Sequence, residues 1–104
     1  PVADGIKFIN FEDIILLKAD GMYTKVSVHK ASELLISKPL KHFETLLESI
    51  PTFYRPHRSY LINLKYIQEY CKKDGGYIIM DNNESVSISK DKKDEFLTIV
   101  QNIG

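Results

Sequence analysis

The run Phe53-Tyr54-Arg55-Pro56-His57-Arg58-Ser59-Tyr60-Leu61-Ile62-Asn63 is the densest stretch of hydrogen-bonding side chains in the chain. It sets two guanidinium groups, an imidazole, hydroxyls and an amide in a frame of aromatic and aliphatic residues. Arginine offers a rigid fork of donors that matches phosphate oxygens or the O6/N7 edge of guanine. Ser59 and Asn63 can add donors to phosphate oxygens. The chemistry suggested is recognition of an anionic ligand, with a groove of DNA as the leading candidate. Arg58 is equally able to pair with a surface carboxylate, and both readings stand on these residues alone. His57 and Asn63 suit a structural role better, because an Asn side chain readily satisfies turn backbone groups.

Nothing comparable points to catalysis. His29, His42 and His57 lie in three separate segments, and neither His29 nor His42 has an acidic neighbour at metal-ligand spacing. Gly75-Gly76 falls in a hairpin turn without a following helix, so it is no phosphate loop. Asp81, Glu84, Asp91 and Asp94 fall in a turn and a helix start, where solvation is the simpler role. Cys71 is the single cysteine, which excludes an internal disulfide and a cysteine zinc cluster. The expectation is a non-enzyme with no cofactor and no metal.

The positioning elements follow from the apolar periodicity. With 104 residues, 43% hydrophobic and 27% charged, the chain is expected to form one domain spanning 1–104. Fourteen basic and fourteen acidic residues cancel, but residues 51–73 hold Arg55, Arg58, Lys65, Lys72 and Lys73 against Glu69 alone. No apolar run reaches membrane-spanning length. Ile6, Phe8 and Phe11 suggest a first short strand, and Ile14–Leu17 a strand buried on both faces. Ala19-Asp20-Gly21 supplies a turn. From Met22 to His29, alternation puts Met22, Thr24, Val26 and Val28 on one face and Tyr23, Lys25, Ser27 and His29 on a wet one.

Glu33–Ser37 returns as a hairpin strand. Pro39 marks the first position of a helix whose apolar face is Leu40, Phe43, Leu46 and Leu47. Pro51 ends it. For the Arg-rich run the pattern predicts an extended Phe53–Arg55, a turn near Pro56–His57 and a helical turn over Ser59–Leu64 capped by Ser59. Strands Tyr66–Cys71, Tyr77–Met80 and Ser85–Ile88 follow. A terminal helix is capped by Ser89 or Asp91, with Phe96, Ile99, Val100 and Ile103 on its apolar face. The fold expected is mostly β, with small helices at its rim.

Four ordered motifs together resemble the LytTR family of DNA-binding domains. They are Asp13-Ile14 with Ala19-Asp20-Gly21-x-Tyr23-Thr24, then Ser37-Lys38-Pro39-Leu40-Lys41-x-Phe43-Glu44, then the Arg-rich run with Tyr66-Ile67, and last Val86-Ser87-Ile88-Ser89-Lys90. The resemblance implies an elongated stack of short antiparallel β-sheets that reads double-stranded DNA through loops. It implies that Tyr23, Arg58 and Lys90 enter successive grooves, with Lys25, Ser59, Ser89, Lys92 and Lys93 as backbone contacts. Lys90 stands where the family more often has Arg; Lys keeps the charge without the fork, which favours phosphate over base. Two copies on tandem promoter half-sites, possible homodimerisation on DNA, and a receiver domain in the same bacterial, cytoplasmic regulator are also implied. A chain that begins at Pro1 is expected to be the C-terminal part of that longer protein. The competing class is a β-rich protein-interaction or ligand-sensing domain in which the basic turn binds a carboxylate.

Overall fold

Leu16 and Leu17 are neighbours in sequence and face opposite ways, as successive residues of a strand must. Both are fully buried in β1 (Ile14–Asp20), because each face of that strand meets a different layer. Residues 8–103 are described by the structure, a computed structural model. β1 is the middle of a five-stranded antiparallel sheet with β2 (Tyr23–Val28), β3 (Leu34–Ile36), β4 (Phe53–His57) and β5 (Tyr60–Asn63). Their order is β3-β2-β1-β5-β4. A second antiparallel sheet holds β6 (Ile67–Cys71), β7 (Tyr77–Met80) and β8 (Ser85–Ser87) in sequence order. Helices α1 (Leu40–Leu47) and α2 (Lys93–Ile103) complete an elongated body of 46 × 26 × 25 Å.

The two faces of the large sheet carry two cores. Leu16 and Ile62 pack with Ile78, Met80 and Val86 of the small sheet and Phe96 of α2. Leu17, Val26 and Leu61 pack on Leu40 and Leu47 of α1. A register shift between Ile14 and Leu16 lets Ile15 join Leu16 on the same side. Each fully buried aliphatic or aromatic side chain contributes about 1.5–3 kcal/mol, so β1, which serves both cores, is the strand the fold can least spare.

Several expectations give way. Ile6 lies outside the described residues, Phe8 is 89% exposed, and Phe11–Asp13 forms a short 3-10 helix rather than strand. The Asp13 amide donates to the Asn10 carbonyl (2.9 Å), closing that turn. Met22 belongs to the β1–β2 turn and is exposed, whereas Ser27, expected on the wet face, is buried because the β7–β8 turn covers it. Its hydroxyl lies 3.4 Å from carboxylate oxygens of both Glu33 and Glu84. Pro39 stands just outside α1, and Leu46 is 48% exposed because its place on the helix lies beyond the Leu40–Phe43–Leu47 stripe.

The Arg-rich run departs most. β4 continues through Pro56 to His57, the turn falls at Arg58–Ser59, and residues 60–63 are strand. Pro56 is tolerated because β4 is an edge strand and its pairing with β5 shifts register between Tyr54 and His57. The helical turn lies instead at Leu64–Tyr66, where the Asn63 side chain, not Ser59, accepts from the Lys65 amide (3.1 Å).

Candidate nucleic-acid interface

Two hairpin turns reach the same end of the large sheet. Lys18 pairs with Lys25 on one side and with Tyr60 on the other, so the β1–β2 turn and the β4–β5 turn rise together. With strands about 4.8 Å apart, the turn centres are separated by two strand spacings, about 10 Å. One backbone hydrogen bond, from the Ala19 amide to the Ser59 carbonyl (2.9 Å), ties them directly. The third segment, Ser89–Lys92, joins through the Ser89 amide, which donates to the Pro56 carbonyl (2.8 Å). At the other side Thr24, fully buried, donates to the Lys38 carbonyl (2.7 Å) and pins the β3–α1 corner to the same rim.

The first turn needs Gly21, whose φ of +62° is the left-handed conformation that side chains disfavour. It presents Tyr23, 46% exposed and opposite Asp20. In the second turn Arg58 is exposed, and its carbonyl accepts from Arg55 Nη2 (2.7 Å). The other arm of Arg55 is paired with Glu44 of α1. His57 Nδ1 accepts from the Ser59 amide (3.0 Å), which closes the turn from inside, and the imidazole meets the Tyr60 ring edge-on. Asn63, fully buried, donates to the Ile14 carbonyl (3.0 Å) and so moors β5 to the start of β1.

In the third segment the 3-10 helix Lys90–Lys92 starts α2, with Ser89 at its cap position. The Ser89 hydroxyl makes no cap bond, so its position matches the expectation while the backbone closes the turn. Lys92 lies 3.7 Å from Glu95, and Glu95 also accepts from the Tyr54 hydroxyl (2.8 Å). Burial first, then the Glu95 hydrogen bond and the Glu95 and Asp91 charges, hold the Tyr54 hydroxyl well above its ordinary pKa. Among the described residues no carboxylate lies within 4 Å of the charged groups of Lys25, Arg58, Lys90 or Lys93. The rim therefore presents unneutralised cations at three places, spaced by backbone hydrogen bonds. Arg58, Ser89 and Lys92 line one cleft, whose wall also holds Arg55 and His57 and the carboxylates Glu44 and Asp91. Lys25 lies apart from it, half-buried on β2, two strands away from β5.

The sequence profile of the LytTr DNA-binding domain matches residues 4–101. This chain belongs to the LytTR family. A LytTR domain is a DNA-binding module, and the loop-built rim lies on a chain of zero net charge. The structure is also similar to that of the LytTr DNA-binding domain of a protein from Bacillus cereus described as a response regulator. That likeness has a TM-score of 0.79 at 25% identity over 96% of this chain and 92% of the other. No curated protein sequence matches this one. Two residues outside the expected DNA-contact set, Arg55 and Lys18, stand beside the rim. The partner of Arg55 lies on another element, which no local pattern reveals. The only signal for Lys18 in the sequence is a charge that follows directly on the apolar run Ile14–Leu17.

Proposed function

We propose that this LytTR domain is the output module of a bacterial two-component response regulator and binds duplex DNA sequence-specifically. Tyr23, Arg58 and Lys90 enter successive grooves on one face of the duplex, while Lys25, Ser59, Ser89, Lys92 and Lys93 contact its backbones. Arg58 has the fork needed to read a guanine edge. Lys90 contributes charge toward phosphate. A receiver domain in the full-length cytoplasmic protein controls it, and two copies occupy tandem half-sites.

The observation that carries this is the shared sheet end. The two turns and the Ser89–Lys92 segment are joined by the Ala19–Ser59 and Ser89–Pro56 backbone bonds into one rim. No helix of the described residues is long and apolar enough to cross a membrane. The test is selection from a random duplex pool with the fragment, read by sequencing, followed by titration of the selected site in rising salt. A recurrent half-site and a salt slope of several times about −0.9 are expected. A pool that yields no enriched sequence at physiological salt refutes specific recognition.

A further inference from the structure

Lys18 and Lys25 stand directly opposite each other across the β1–β2 pair, on the same face of the large sheet. Like charges in that position repel and destabilise a sheet. Among the described residues no carboxylate lies within 4 Å of either ammonium, so the repulsion is not relieved by a close ion pair. Asp20 is the nearest acid along the strand, two residues on from Lys18 and opposite Tyr23. Lys18 is steered instead toward β5. Its Nζ lies 5.8 Å from the centre of the Tyr60 ring, and Tyr60 is its cross-strand neighbour. The next neighbour in the row is His57, edge-on to Tyr60. A basic pair with an aromatic wall thus lies below the two hairpin turns.

We propose that Lys18 and Lys25 together hold one phosphate of the DNA backbone, which makes Lys18 a phosphate-binding residue. This rests on the two turns entering neighbouring grooves, as proposed above. Neighbouring grooves are separated by one sugar–phosphate backbone. Where two loops of one rigid sheet enter them, that backbone crosses the protein between the loops. The strands between the two turn centres are β1 and β5, and the side chains they present on that face are Lys18 and Tyr60, with Asp20 one step nearer the turn, so the phosphate must sit on the Lys18 side of that carboxylate. A phosphate between the two ammonium groups converts their repulsion into attraction. The fold carries an unfavourable pair that the bound duplex relieves.

Two substitutions separate this from a structural role. Lys18→Met keeps an apolar stem over Tyr60 and removes the charge. Lys18→Glu places a carboxylate opposite Lys25. Binding to a selected duplex and to a scrambled duplex is followed by fluorescence anisotropy between 50 and 200 mM salt, beside thermal melting. For Lys18→Met the log–log salt slope is expected to become shallower by about 0.9, so that affinity falls some three- to fourfold less across that salt range. The loss should be the same on both duplexes. Lys18→Glu is expected to bind more weakly still while melting no lower than wild type, because a repulsive pair has become an attractive one. An unchanged slope in Lys18→Met, beside a steep wild-type slope, overturns the Lys18 site alone. A loss of affinity in Lys18→Glu that tracks a lower melting temperature assigns the residue to the fold and overturns the site as well. A wild-type domain that binds neither duplex overturns the DNA reading and this site with it.

Discussion

Arg55→Met tests whether the Arg58 turn is held ready before DNA arrives. Arg55 makes two bonds, to Glu44 on α1 and to the Arg58 carbonyl (2.7 Å). The Arg55 and Glu44 side chains are 27% and 41% exposed, so solvent screens the ion pair to at most about 1 kcal/mol. The hydrogen bond to the Arg58 carbonyl adds about 1 kcal/mol at an exposed site. Methionine keeps much of the packed stem and removes Nε, a buried donor without a partner, which returns part of the loss. The net is a destabilisation of about 1–2 kcal/mol, or about 5–10 °C in melting temperature for a domain of this size. The larger effect falls on binding. A turn residue no longer held must be ordered by the duplex, at about 1–2 kcal/mol for one backbone unit, which lowers affinity about five- to thirtyfold. Because Glu44 already neutralises Arg55, the salt slope should not change. Circular-dichroism melting and anisotropy titration in varied salt measure all three quantities. A slope shallower by about 0.9 would show that Arg55 itself touches phosphate and refute the positioning role.

Three other perturbations have distinct expected outcomes. Arg58→Ala should weaken specific binding by about 1–3 kcal/mol, relax selectivity at one base position in a repeated selection, and leave the melting temperature unchanged. Asn63→Ala leaves the buried Ile14 carbonyl without its donor and the Lys65 amide without its acceptor, so urea denaturation should show about 2–4 kcal/mol lost. Tyr54 gives a pH signature. Its folded pKa lies above the unfolded value of about 10, so the native state keeps a proton that the unfolded state releases. Its contribution is complete below that value and declines as pH rises past it. Tyr54→Phe should flatten the fall in stability as pH rises above about 10, and an unchanged profile would refute the assignment.

Most of the β architecture was legible because strands advertise themselves locally. Ile14–Leu17 read as doubly buried strand and is; Tyr77–Met80 was placed to the residue. The Arg-rich run misled for a local reason. Pro56 reads as a break, yet its cost vanishes on an edge strand with shifted register, and nothing in the segment says that β4 is an edge. Ser27 misled because its cover comes from Glu84, far along the chain. The structural roles of His57 and Asn63 were visible in residue type. The spacing of Tyr23, Arg58 and Lys90 was not, since it depends on pairing between β1 and β5, and on the Ser89–Pro56 bond.

The Ala19–Ser59 hydrogen bond has a consequence for how DNA sites can diverge. If the two turns read bases as proposed, their main-chain link lets exchanged side chains alter which bases are preferred without altering the interval between the contacted positions. That interval is a property of the β-sheet pitch. A duplex whose groove spacing does not match must twist or bend to fit. Flexible pyrimidine–purine steps between the contacted bases then favour binding although no side chain touches them.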